Sequence, residues 1–234
     1  MRIHDNYLIV LTVIPTIHEV RHQPLAPMHI AILTFEGFNE LDSLIAFGIL
    51  NRIKSPDWRV SIASPTARVR SMNGLVLEAQ SSLREACDAD AVIVGSGMRT
   101  RQVVADAALM SQLEFDPSRQ LLGAQCSGTL VLARLGLLGA TPACTDLTTR
   151  PWVEEAGVAV LEQPFVANGN VATAGGCMAS PYLAAWVIAR LMGTEAATSA
   201  MHYVAPVGEK DEYVARAMRA ISPYLVPLPE SIPA

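Results

Sequence analysis

Cys126 is the residue whose type and setting point most directly to chemistry. An apolar run, Leu121 to Gln125, gives way without a linker to a helical stretch, Cys126 to Arg134. A strand that turns straight into a helix lifts the turn residue above the sheet, and Gly123 and Gly128 leave room for it. This is the form of a nucleophile elbow. The helix start beneath such a thiol favours the thiolate and offers backbone N–H groups to an anion. Cys87, Cys144 and Cys177 lack that setting and read as small buried hydrophobes, the usual fate of a free cysteine. Asp42 falls in the first turn of the first predicted helix. Alone it could be a solvated acid that complements the helix dipole. Leu41 and Leu44 around it predict partial burial, which raises a carboxyl pKa and lets it move protons near neutrality. Glu36, in the preceding loop, is a rival for that role.

Gly95-Ser96-Gly97 has two readings: a mere turn, or a turn that presents the Gly97 N–H toward the elbow as half of an oxyanion-type hole, with Ser127 beside it. It does not fit GxGxxG, which disfavours a dinucleotide, and neither a Walker A motif nor HExxH occurs. Histidine is scarce: His4, His18 and His22 precede the first element, His29 lies in the first strand, and only His202 follows the elbow. A Cys–His pair has little to draw on, so thiol chemistry must lean on a carboxylate. The four cysteines are widely spaced, with no CxxC and no neighbouring histidine pair, which argues against a metal site. No cofactor is expected.

These residues need a scaffold, and the patterning supplies one. Met28 to Phe35 is a near-continuous apolar run, typical of a strand buried on both faces. Glu40 to Lys54 carries an apolar helical stripe. Strands are predicted at Trp58 to Ala63, Ala91 to Val94, Leu121 to Gln125, Val158 to Leu161 and Val171 to Ala174. Helices are predicted from Arg101 to Leu113, after Pro151, and from Pro181 to Met192, with two more near the end. Asn73-Gly74 and Asn168-Gly169 mark hairpins, the first over Val69 to Glu78. Alternating strands and helices give an α/β fold with a mostly parallel sheet sandwiched between helices. Sites in such sheets lie beyond the carboxyl ends of the strands. That puts Gly37 to Asp42, Gly95 to Gly97, Cys126-Ser127 and Gly175-Gly176 on one rim.

The chain has 234 residues, 51% hydrophobic and 17% charged, with a net charge of -5. That composition excludes a disordered chain, and the acidic balance argues against nucleic acid as a partner. No apolar run is long enough to span a membrane. The expected organisation is an N-terminal extension at 1–27, an α/β domain at 28–226 and a tail at 227–234. Leu8 to Ile17 is apolar, but Pro15 interrupts it and no cleavage site follows, so the cytoplasm is the default compartment. Low charge suits a buried sheet and a pocket for a small neutral organic substrate. The apolar Pro181–Met192 helix suggests a surface for a second subunit.

With these residues in place, the chain resembles the ThiJ/PfpI superfamily, which shares its flavodoxin-like sandwich with class I glutamine amidotransferase domains. The resemblance runs from about Met28 to Pro206. It rests on IAILTFEGFNELD, VIVGSG, LLGAQCSGTLVLARLGLLG and NVATAGGCMASPYLAAWVI. It implies a six- or seven-stranded sheet between helices and a homodimer. Within the superfamily the chain looks most like the isonitrile hydratase branch, which has an aspartate in the first helix, as at Asp42, and a hydroxyl residue after the cysteine, as at Ser127. Tyr203-Val-Ala-Pro206 is also similar to a segment of that branch. Two departures stand out. Asp42 is followed by Ser-Leu-Ile-Ala-Phe47 rather than Gly-Pro. Thr148-Thr149 is followed by Arg150 where many members carry a histidine, which counts against protease-like and amidase-like activity.

The resemblance implies an enzyme that adds water to an isonitrile through Cys126, with Asp42 moving the proton. Two alternatives stay open. One is a cofactor-independent, glyoxalase-type enzyme acting on a reactive aldehyde. The other is a non-enzymatic redox- or ligand-sensing module.

Overall fold

The structure, a computed structural model, describes residues 27–225. The expected extension, apart from residue 27, and the expected tail lie outside the described residues. Five of the sheet's six parallel strands are β1 (Met28–Leu33), β2 (Trp58–Ser64), β5 (Ser81–Ser82), β6 (Ala91–Val94) and β7 (Leu121–Gln125). β8 (Phe165–Asn168) and β9 (Val171–Ala174) complete it, giving seven strands in the order β5-β2-β1-β6-β7-β9-β8. β9 runs parallel to β7, and β8 turns back antiparallel on the edge. A separate ribbon pairs β3 (Arg68–Arg70) with β4 (Val76–Glu78) about the Asn73-Gly74 turn.

Strand alternation divides the core into two layers. Ile30, Ile32, Ile93 and Leu121 face one side. There they meet α1 (Glu40–Leu50), α7 (Ser180–Met192), α8 (Thr194–Val204) and α9 (Lys210–Ile221). Ala31, Leu33, Val92, Val94, Leu122 and Ala124 face the other. They pack on α2 (Leu83–Asp88), α3 (Thr100–Ala105), α5 (Gly128–Arg134) and α6 (Arg150–Glu155). Burial of one such Ile, Leu or Val is worth roughly 1.5–3 kcal/mol. With both faces covered, the strands have few positions left for charge.

Several expectations need correction. The Arg101–Leu113 helix is broken at Asp106, whose side chain accepts from Leu109 N–H at 3.0 Å and starts α4 (Ala107–Met110). Val158–Leu161 is not a strand: only Val160 makes a bridge, to Ala143. The first helix stops at Leu50, because Asn51 caps it. The apolarity of Pro181–Met192 is satisfied inside this chain. From Leu183 to Ala189 every residue of α7 is buried between the sheet and α1, α8 and α9. A helix covered on all sides by its own chain needs no second subunit to explain it. No helix among the described residues is long and apolar enough to cross a membrane.

Candidate active site

The strand-to-helix turn is built as the sequence suggests, and its backbone is unusual. Cys126 has φ +45°, the only positive value at a non-glycine position among the described residues. Left-handed backbone costs a side-chain-bearing residue roughly 1–2 kcal/mol, so the surroundings must hold it. They do so from both sides. The Cys126 N–H donates to the Ala174 carbonyl at 2.8 Å. The Cys126 carbonyl accepts from Thr129 N–H at 3.1 Å and from Thr145 Oγ1 at 2.8 Å. Behind the turn, Gly128 lies against the Val94 and Gly95 carbonyls so closely that a Cβ there would collide with both. The thiol therefore points away from the sheet into the rim, and is 3% exposed.

Asp42 reaches the same point from the opposite side. Asn39 caps α1, its side chain accepting from Leu41 N–H at 3.1 Å, which places Asp42 in the first turn. The carboxyl is fully buried rather than partly so. Oδ2 accepts from Ser96 Oγ at 2.6 Å and Oδ1 from Ser43 Oγ at 3.4 Å. The Asp42 carbonyl accepts from Ser180 Oγ at 2.6 Å, tying α1 to α7. Burial pushes the carboxyl up to about 6, against the pull of hydrogen bonds from Ser96, Cys126 and Ser43.

The Asp42 carboxyl, Cys126 Sγ and Cys177 Sγ all lie within 4.8 Å of one another, and no other trio of His, Cys, Asp or Glu is as tight among the described residues. Both carboxyl oxygens already accept from hydroxyls, so the trio is better furnished for thiol and proton chemistry than for an ion. The Cys126 thiol is raised well above its ordinary value, first by burial and then by the Asp42 charge. This reverses the expectation of a thiol lowered by the helix start: α5 is short, and desolvation outweighs it. The buried thiol therefore holds its proton more tightly than an ordinary cysteine. Attack by sulfur thus requires that proton to move, and Asp42 is the adjacent acceptor.

Cys177 is the residue the sequence reading misplaced. It follows Gly176 (φ +86°) at the start of a single 3-10 turn, Cys177–Ala179, and is half-buried. Asn39 Nδ2 donates to its sulfur at 3.1 Å. The signal was present, since Gly175-Gly176 ends a strand beside β7 and delivers the next residue to the same rim. Cys144 and Cys87 do behave as filler. Burial alone lifts Cys144 to about 12, and the Cys87 thiol donates to the Gln112 carbonyl at 3.4 Å.

The Gly97 amide is not free as expected. It donates to Ser127 Oγ at 3.0 Å, and Thr100 Oγ1 lies 2.8 Å from the same oxygen. Gly97 and Thr100 thus fix the Ser127 hydroxyl at the cavity wall. Ser96, not singled out from the sequence, also lines the cavity while donating to Asp42. Glu36 is exposed, and its carboxylate accepts from Arg70 N–H at 3.0 Å, which removes it from the site. Arg150 turns away to Glu154 and Glu162, at 2.8 and 3.1 Å. The space above the thiol is a cavity of about 730 Å³, walled by Met72, Met98 and Trp152. The Arg101 guanidinium stacks over the Trp152 ring at 4.8 Å. Asp146 is occupied by the Thr148 and Thr149 N–H groups.

Comparison with known structures agrees with this architecture. The chain is similar to DJ-1 of Schizosaccharomyces pombe, with a TM-score of 0.66 and 18% identity over 76% of this chain and 100% of that one. A ThiJ/PfpI family protein of Pseudomonas syringae gives a TM-score of 0.68 and 18% identity, over 85% and 89% of the two chains. Oxidised DJ-1 of Toxoplasma gondii gives 0.65 and 19%, over 76% and 97%. At these identities the likeness speaks for the fold. No curated protein sequence matches. The sequence profile of the DJ-1/PfpI family, however, matches residues 28–190, from the first strand through most of α7 and across both arms of the elbow, and the chain belongs to that family.

Proposed function

We propose that the protein is a cysteine-dependent hydratase of the isonitrile hydratase type. One observation carries the reading: a fully buried carboxyl, raised to about 6, lies within 4.8 Å of an elbow thiol that must lose a proton to react. No histidine is among the residues lining the cavity. Cys126 sulfur adds to the terminal carbon of the isonitrile while its proton passes through Asp42 to that carbon, leaving a thioimidate. Water then adds to the same carbon. Asp42 takes a proton from the water, with the Ser96 hydroxyl as the relay between buried carboxyl and cavity, and the Ser127 hydroxyl holds the water. Asp42 passes that proton to the imine nitrogen, collapse then expels Cys126 as it takes up the remaining hydroxyl proton, and an N-substituted formamide leaves. Apolar Met72, Met98 and Trp152 suit a small neutral substrate.

The test mixes purified protein with cyclohexyl isocyanide and follows N-cyclohexylformamide by mass spectrometry. Turnover is expected in wild type. It is expected to vanish in Cys126→Ala and to fall by roughly 10²–10⁴ in Asp42→Asn, the range for loss of a general acid–base. No formamide from wild type, or undiminished turnover in either variant, overturns the reading. Conversion of methylglyoxal to lactate without formamide would instead move the same residues to an aldehyde substrate.

A further inference from the structure

Cys177 has no part in that reaction, yet its sulfur shares the cavity wall with the nucleophile. The two sulfurs lie within 4.8 Å of each other. Each is held by its own amide: Asn39 Nδ2 donates to Cys177 at 3.1 Å and Gln125 Nε2 to Cys126 at 3.5 Å. A disulfide needs its sulfurs about 2.05 Å apart, so the gap to close is at most about 3 Å. Changing one cysteine rotamer moves its sulfur by about that distance. The Cys126 backbone is pinned by three hydrogen bonds, one of them from the Thr145 hydroxyl, so Cys126 is the fixed partner. Cys177 is the one able to swing, being half-buried behind a glycine at φ +86°.

We propose that Cys126 and Cys177 form a reversible disulfide when the cavity admits a hydroperoxide, with Cys177 as the resolving thiol. Cys126 sulfur attacks the nearer peroxide oxygen, its proton passing through Asp42 to the departing oxygen. The O–O bond breaks, an S–O bond forms, water or an alcohol leaves, and Cys126 is oxidised to a sulfenic acid while the peroxide is reduced. Cys177 sulfur then attacks Cys126 sulfur. The S–S bond forms, the S–O bond breaks, and the hydroxyl leaves as water with the Cys177 proton. Closure blocks the nucleophile and keeps it from the irreversible sulfinic acid. An external thiol reopens the pair. The chemistry depends on the two thiols and is independent of the isonitrile reading.

The test treats the reduced full chain with about three equivalents of hydrogen peroxide, enough to carry a lone thiol to sulfinic acid, alkylates the remaining thiols and maps cysteines by fragmentation. Wild type is expected to lose two hydrogen atoms, to show Cys126 joined to Cys177 within one chain, and to recover both thiols with dithiothreitol. In Cys177→Ser the same treatment is expected to drive Cys126 to sulfinic acid, a gain of two oxygen atoms that dithiothreitol does not reverse. Sulfinic acid at Cys126 of wild type with Cys177 still alkylatable overturns the proposal. So does a bond to Cys144, or one between chains. If Cys177→Ser does not fold, the wild-type map decides alone. No isonitrile enters the readout, so the two readings fail separately.

Discussion

Asp42→Asn separates the electrostatic cost of the site from its chemistry. The carboxyl has no exposed atom, and burial lifts it from the ordinary 3.8 to about 6. The amide keeps the shape and an acceptor for the Ser96 hydroxyl, and it removes the buried charge. Below about pH 3 the carboxyl is protonated in folded and unfolded chains alike, and its ionisation contributes nothing to the difference between variant and wild type. Between about pH 4 and 6 the folded wild type retains a proton that the unfolded chain has released, so wild-type stability falls as pH rises. Above about 6 the full cost is present. A displacement from 3.8 to about 6, at about 1.36 kcal/mol per pH unit, comes to about 3 kcal/mol. Urea unfolding at about pH 4 and about pH 8 measures it. The stability of Asp42→Asn relative to wild type should grow by about 2.5 kcal/mol between those two conditions, the unfolded carboxyl being already partly ionised at the lower pH, even as turnover is lost. A difference that stays constant with pH to within about half a kcal/mol would refute the claim that the buried carboxyl ionises at a cost.

Further outcomes follow from the same geometry. The pH profile of isonitrile kcat/KM should climb through about 6 and then level, because Asp42 must be ionised to accept the thiol proton; a flat profile from about pH 4.5 to 8 would remove Asp42 from that step. Cys126→Gly should be more stable than Cys126→Ala by about 1 kcal/mol in denaturant unfolding, since only glycine takes φ +45° without strain. Gly128→Ala should lower stability by about 3 kcal/mol, because its Cβ meets fixed carbonyls of β6 and the following turn, and equal stability would show that the elbow can shift. Arg150→Ala should leave turnover and the melting midpoint unchanged, as its two ion pairs lie on the surface away from the cavity.

Much of this molecule can be read from its residues. The buried strands announce themselves as unbroken apolar runs, and the elbow as a strand with no linker before its helix. Asp42 and Cys126 converge because both sit at carboxyl ends of parallel strands. What escaped reading has physical reasons. The edge strand Ser81–Ser82 is too short and polar to show a period, although Ser82 and Glu85 spell out the capping box that starts α2. Val158 to Leu161 has strand composition but finds only one bridging partner, and propensity without a ladder does not make a strand. The Cys126 thiol departs from its helix-start expectation because a helix start is visible in sequence whereas the depth of burial is not. Cys177 was passed over because its nearness to Cys126 is tertiary: the two are brought together by β7 pairing with β9.

The hydrogen bonds from Asn39 to Cys177 and from Ser180 to Asp42 each join residues 138 positions apart in the chain. Contacts of such separation close late, after the loop entropy between them has been overcome. During synthesis, Asp42 and Cys126 emerge from the ribosome well before α7, the helix that clamps the start of α1. Until that segment arrives, the carboxylate stays hydrated with an ordinary acidity, and the thiol meets solvent without its partners. Reactivity is therefore conferred by a core helix made after both reacting residues, so that a nascent chain stalled or truncated before α7 carries the cysteine but not the tuned pair.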